Sequence, residues 1–101
     1  MLLYSCNQKP LELHISETLI FDGKLYQINQ ELPFSGIIYS TYRDSSREYE
    51  GFYKEGKPNG HLIYWYENGK IMKEGNLKNG TPIGRWKYFN QDGTLNKIVD
   101  N

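Results

Sequence analysis

A chain of 101 residues in which twelve basic and twelve acidic side chains cancel lacks the electrostatic footprint of a nucleic-acid or anionic-membrane binder. Nine tyrosines, two tryptophans and four phenylalanines against sparse aliphatics suit a half-buried pleated surface over a thin core, and ten glycines without a three-residue period exclude collagen and fit many tight turns. The single cysteine, Cys6, excludes an internal disulfide.

Residues 1–16 show neither helical nor alternating periodicity and are interrupted by Pro10, so they read as a leader or tether ahead of a domain over 17–101. His14 falls in this leader and is expected in solvent. From Thr18 onward, turn signals come at short intervals. Asp22-Gly23, Asp44-Ser45, Asn68-Gly69 and Asp92-Gly93 read as two-residue hairpin turns or close relatives, with return turns at Glu55-Gly56 and Asn79-Gly80. From Ser45 to Gly93 the turns are spaced 11, 13, 11 and 13 residues, which leaves no room for an ordinary helix. The spacing predicts an all-β fold, an antiparallel meander of about eight strands near 17–21, 24–29, 34–43, 46–54, 57–67, 70–78, 81–91 and 94–99.

The meander is periodic. Gly36, Gly60 and Gly84 lie 24 residues apart, as do Gly51 and Gly75, Gly56 and Gly80, Gly69 and Gly93, and Pro58 and Pro82. Several independent series with one period define hairpin repeats, with units near 36–59, 60–83 and 84–101. Two-residue loops would set Tyr42 opposite Arg47, Ile38 opposite Gly51, Tyr66 opposite Ile71, Leu62 opposite Gly75 and Trp86 opposite Val99. Across the return turns, Gly51 would face Gly60 and Gly75 would face Gly84. Each glycine would let a neighbouring aromatic ring lie flat across the backbone.

This register sorts the side chains onto two faces. Ile38, Tyr49, Leu62, Tyr64, Trp86 and Val99 fall on the more uniform one, the expected core. Ile37, Tyr39, Phe52, His61, Ile63, Trp65, Met72, Glu74, Lys87 and Phe89 fall on the other, the expected outer surface. Nothing catalytic stands out: Asp22, Asp44 and Asp92 are explained by turns, and His61 has no ligand company in sequence, although folding could bring Glu50 or Glu74 closer. No catalytic residue, metal site or cofactor is therefore assigned. The candidate anchors for a protein partner are Tyr39, Trp65, Met72 and Phe89, because buried aromatics dominate interface energetics. The alternative use of Tyr39, Trp65 and Phe89 is base stacking beside Arg85 and Lys87, against which the neutral net charge argues.

Three segments carry a likeness to a known family: Tyr66-Glu67-Asn68-Gly69-Lys70, Lys73-Glu74-Gly75-Asn76-Leu77-Lys78-Asn79-Gly80, and Pro82-Ile83-Gly84-Arg85-Trp86-Lys87-Tyr88-Phe89. With Leu32-Pro33-Phe34-Ser35-Gly36 ahead of them, they resemble the MORN repeats (membrane occupation and recognition nexus). The closer likeness is to the bacterial variant often labelled YwqK-like antitoxin. The likeness runs from near Tyr26 to Ile98. It departs at Ser45, where later units have Gly69 and Gly93, and at Val99, where glycine would stand. The resemblance implies a non-enzymatic sheet of stacked hairpins used as a binding module or scaffold.

The leader offers a second likeness. Leu2-Leu3-Tyr4-Ser5-Cys6-Asn7 resembles the end of a bacterial lipoprotein signal, although only five residues precede Cys6. It is read either as a truncated signal with Cys6 as the acylated residue or as a tether carrying a free thiol. The first places the protein in the cell envelope, with membrane attachment through Cys6 alone; the second places it in the cytoplasm. The functional expectation is non-catalytic binding of another protein, antitoxin-like. Its alternatives are an envelope lipoprotein with an accessory or scaffold role, a single-stranded nucleic-acid binder and, last, an enzyme.

Overall fold

Two kinds of turn alternate along the chain and set its register. At Asp22-Gly23, Glu55-Gly56 and Asn79-Gly80 both central residues have positive φ (52° and 78°, 49° and 84°, 50° and 83°). The flanking residues pair directly, Phe21 with Lys24, Lys54 with Lys57 and Lys78 with Thr81. These are type I′ turns, whose twist matches that of the strands they join. At Asp44-Ser45, Asn68-Gly69 and Asp92-Gly93 only the second residue is left-handed (75°, 88° and 92°). There the amides of Ser45, Gly69 and Gly93 donate to the carbonyls of Tyr42, Tyr66 and Asn90, whose own amides donate to the carbonyls of Ser46, Lys70 and Thr94. That is a type I turn closed by a left-handed bulge. The extra residue shifts the pairing by one, so Arg47 lies opposite Thr41 rather than Tyr42, and Ile71 opposite Trp65 rather than Tyr66.

The computed structural model describes residues 10–101 and is all-β. Its strands are β1 (Glu12–His14), β2 (Thr18–Phe21), β3 (Lys24–Gln27), β4 (Gly36–Thr41), β5 (Arg47–Lys54), β6 (Lys57–Trp65), β7 (Ile71–Lys78), β8 (Thr81–Phe89) and β9 (Leu95–Asp100), with a single 3₁₀ turn at Ile15–Glu17. Strands β4 to β9 run as a continuous antiparallel meander, and β2 and β3 form a separate two-stranded sheet. Eight of these strands stand where the turn spacing puts them, to within a few residues at each end.

The ninth strand corrects the reading of a tether at residues 12–14; residues 1–9 of that segment lie outside the described residues. Strand β1 pairs in parallel with β4 at the sheet edge, which makes the seven-stranded sheet mixed, and Leu13 is buried opposite Ile38. Three residues are too few to show alternation, and their partner lies across the β2–β3 hairpin. Nothing local therefore marks them as a strand.

Leu13, Leu25, Phe34 and Ile38 form the core cluster, with Tyr49 and Tyr53 packed against it. Backbone hydrogen bonds tie the small hairpin down: Leu25 N–H to the Gly56 carbonyl, Gly56 N–H to that of Phe34, and Phe34 N–H to that of Leu25. Buried side chains are not confined to the expected core face. Ile38, Leu62 and Trp86 are buried on it, while Ile37 and Ile63 are buried on the other, flanked by Phe52 and by Glu50 and Glu74.

The glycine–aromatic pairing takes a different form from that expected. Gly51 lies opposite Leu62, not Gly60. Opposite Gly75 the register slips, since Glu74 pairs with Lys87 but Asn76 with Ile83. The slack lets the Trp86 indole lie across Gly75, with Nε1–H donating to the Asn76 carbonyl at 3.1 Å. A Cβ at position 75 would fall inside that ring.

Gly75→Ala is expected to cost about 1–3 kcal/mol, the usual range for overpacking a filled site, seen as a fall in Tm of roughly 4–8 °C per kcal/mol. Gly51→Ala, which meets the movable end of the Tyr49 phenol, should lower Tm less.

The bulged turns also make a pH prediction. Asp44 and Asp92 each accept a hydroxyl at 2.6 Å and an amide at 2.9 Å, from Ser46 and Thr94 respectively. These bonds, the hydroxyl's first, hold both carboxyls below the ordinary carboxylate range. A depressed folded pKa gives stability that is present above the unfolded value and lost as pH falls through the folded one. Asn68 makes the same amide bond to Lys70 at 2.9 Å without a titrating group. Amide hydrogen exchange between about pH 5 and pH 2 should show Ser46 and Thr94 losing protection while Lys70 keeps it; Asp92→Asn should remove the dependence at Thr94.

Candidate partner-binding surface

Strand pairing lays the side chains of the expected outer face in rows across the sheet. One row runs Tyr39, Glu50, Ile63, Glu74, Lys87, Ile98. Next to it, towards the bulged turns, alternation along β6, β7 and β8 places Trp65, Met72 and Phe89 on this same face. The backbone beneath the two aromatic residues is pinned. The Tyr42 hydroxyl donates to the Trp65 carbonyl at 2.6 Å, and the Tyr66 hydroxyl to the Phe89 carbonyl at 2.7 Å. Asn68 adds a side-chain amide bond to the Gln91 carbonyl at 2.8 Å. Beside these contacts lies a cleft of about 480 Å³ lined by Tyr42, Tyr66, Glu67, Asn68, Met72 and Gln91.

All four expected anchors are half-buried, and they do not form one group. Tyr39 sits at the other end of the sheet. The Arg47 guanidinium lies 3.7 Å from its ring centroid, and the His14 imidazole meets it edge-on at 5.3 Å. Arg47 is further bound to Glu12 at 2.7 Å and Glu50 at 3.2 Å. Tyr39 therefore belongs to a clasp that holds β1 against β4 and β5, while Trp65, Met72 and Phe89 remain as the candidate surface. His14, expected in solvent, is half-buried in the same clasp, with Nδ1 2.9 Å from the Ser16 hydroxyl.

The opposite face carries its own ladder. The rings of Tyr49 and Tyr64 lie 4.9 Å apart, with the Lys73 ammonium 4.8 Å from the Tyr64 centroid and that of Lys97 5.0 Å from Tyr88. Burial, then the neighbouring Tyr53, raises the Tyr49 phenol well above its ordinary range.

Folding does bring His61 to Glu74, with Nε2 and Oε1 3.5 Å apart. Among the described residues no group of three or more His, Cys, Asp or Glu side chains is placed to hold a metal. Cys6 lies outside the described residues. The sequence reading missed the exposed apolar side chains of the N-terminal hairpin, Leu19, Ile20 and Phe21, which are 45, 74 and 67% exposed. The signal was present in the unalternated run Thr18-Leu19-Ile20-Phe21, which a strand covered on one face does not need.

No protein-family model, no curated protein and no solved structure matches this chain.

Tyr66→Phe removes the bond to the Phe89 carbonyl and is expected to cost about 1 kcal/mol, the net worth of one such hydrogen bond. Tyr42→Phe should cost the same. The double variant should depart from the sum in denaturant unfolding, since the Trp65 carbonyl bonded by Tyr42 belongs to the peptide unit leading into Tyr66.

Proposed function

We propose that the protein is a non-catalytic binding module that holds another protein against the sheet face carrying Trp65, Met72 and Phe89. The observation that carries this reading is the placement of that row. Two aromatics and a methionine stand on three neighbouring strands, where the ladder shifts register at Trp65 and at Phe89, on the face away from the β2–β3 hairpin, with the backbone under both aromatics fixed by tyrosine hydroxyls. Rigid elements present anchors at low entropic cost, and aromatic anchors supply most of the energy of protein interfaces. The 24-residue spacing and the Tyr-Glu-Asn-Gly-Lys segment support placing the chain with the MORN-like variants. The antitoxin-like form of the reading, in which one protein partner is held without chemistry, follows from that resemblance.

Base stacking on the same row is less favoured. Arg85 is engaged by Asp100 at 3.0 Å, and Lys87 lies across from Glu74. Arg85 is thus matched by a carboxylate and Lys87 stands in register with one, which opposes the attraction that nucleic-acid binding requires.

Immobilised wild-type protein is expected to retain a specific protein from an extract of its source cells. The Trp65→Ala/Phe89→Ala variant should retain at least tenfold less while unfolding cooperatively within a few degrees of wild type. Undiminished retention overturns the reading. So does a loss of stability of about 3–5 kcal/mol, typical of truncated core aromatics, because it would make both residues packing groups.

A further inference from the structure

Strand β2 has an open edge. Among the described residues its only neighbour is β3. Because the type I′ turn makes Phe21 and Lys24 a hydrogen-bonded pair, Phe21 and Leu19 direct their backbone groups to β3, and the Ile28 amide continues the ladder onto the Glu17 carbonyl at 2.9 Å. By the same alternation Thr18 and Ile20 direct theirs outward. The Thr18 amide is used by the Ile15 carbonyl. The amide and carbonyl of Ile20 and the carbonyl of Thr18 therefore face away from the hairpin, among the exposed apolar side chains of Leu19, Ile20 and Phe21.

Edges of this kind are templates for added strands unless something blunts them. The far edge of the large sheet is blunted, since β9 carries Asn96, Lys97 and Asp100, and β4 is covered by β1. Strand β2 has neither a charge nor a proline between its ends. What it has are carboxylates at those ends, Glu17 before it and Asp22 after it. A third, Glu31, lines a cleft of about 270 Å³ that opens beside Leu19, Phe21 and Tyr26. Lys24 is the one cation between residues 17 and 32.

We infer that the outer edge of β2 accepts an extended segment of the partner protein, apolar in its middle and flanked by Lys or Arg, as an added strand. The outward groups of Ile20 and Thr18 pair with its backbone, one apolar side chain fills the cleft beside Phe21 and Tyr26, and its basic ends meet Glu17, Asp22 and Glu31. A second copy of this chain is the wrong occupant. Antiparallel pairing about Ile20 would bring Asp22 of each copy beside Thr18 and Glu17 of the other, carboxylate against carboxylate. An anionic lipid surface is repelled by the same three groups. The inference rests on the reading that the protein binds another protein, and it adds a contact surface distinct from the Trp65 row.

The test uses the full chain and two synthetic peptides, Lys-Lys-Thr-Val-Ile-Val-Thr-Lys-Lys and its counterpart with Glu at every Lys, followed by calorimetry and by exchange of the Ile20 amide. The lysine peptide is expected to bind, to slow Ile20 exchange at least tenfold, and to bind more weakly as salt is raised. Ile20→Lys, at a position 74% exposed, should weaken it at least tenfold without moving Tm. Glu17→Gln/Asp22→Asn should weaken it severalfold, and the glutamate peptide should not bind. The inference is overturned by no effect of the lysine peptide on Ile20, equal binding of both peptides, an Ile20 amide already protected in the free chain, or self-association that Ile20→Lys abolishes. Binding to neutral lipid vesicles through Ile20 in place of the peptide also overturns it. If the peptide fails while the Trp65→Ala/Phe89→Ala comparison still shows partner capture, the edge assignment falls alone; if both fail, the protein-binding reading falls with it.

Discussion

The meander depends on a hydroxyl that reaches from one hairpin to the backbone of the next. Tyr42 bonds the Trp65 carbonyl and Tyr66 the Phe89 carbonyl, the second bond displaced from the first by 24 residues at both ends. Among the described residues the sheet has no second layer of secondary structure beyond the N-terminal hairpin, so coupling between neighbours along the sheet replaces much of what a deep core would supply. In such a sheet each strand is held chiefly by those beside it. The series stops at Asn90, in the position of Tyr42 and Tyr66. Its short amide reaches only the Thr94 hydroxyl of its own turn, at 3.0 Å.

The two ends are finished differently. At the C-terminal end the strand that takes no tyrosine sets Asn96, Lys97 and Asp100 among the exposed Leu95 and Ile98. At the N-terminal end the finish is structural. Strand β1 covers the edge of β4, Arg47 clamps it by stacking on Tyr39 while pairing with Glu12 and Glu50, and the β2–β3 hairpin delivers Leu25 onto Ile38. That cover exposes an apolar edge of its own. The molecule thus presents two surfaces of opposite character. The sheet face beyond the clasp offers rigid aromatic side chains. The hairpin offers unpaired backbone groups within an acidic rim.

Turn chemistry explains why the sequence was so informative about the strands and less so about their partners. Glu55-Gly56 and Asn79-Gly80 form the two-residue turns that Asx-Gly and its relatives favour, and the pairs next to them follow simple counting until the register shifts past Tyr53 and past Asn76. At Asn68-Gly69 the same type of dipeptide sits in a bulged turn, with only Gly69 left-handed. The dipeptide alone does not separate the two cases, because positive φ at its second position is common to both. The one-residue difference changes which residues face one another near the turn. A second register shift, at Ser40/Thr41, Tyr64/Trp65 and Tyr88/Phe89, offsets it and leaves Ile38 opposite Gly51, Leu62 opposite Gly75 and Trp86 opposite Val99.

By itself the sequence determined the all-β class, the place of eight strands, the order in which β4 to β9 neighbour one another, and which residues share a face, because these follow from local turn preferences and a two-residue side-chain period. Only the tertiary structure decided that Glu12–His14 is a strand, that Tyr39 is spent on an internal clasp while Trp65, Met72 and Phe89 are not, that Ile37 and Ile63 are buried on the face expected to be outer, and that Thr18–Phe21 is left as an open edge. Each of these is a contact, or a missing contact, between segments far apart in the chain. Neither periodicity nor turn propensity carries information about such contacts, because both are properties of neighbouring residues.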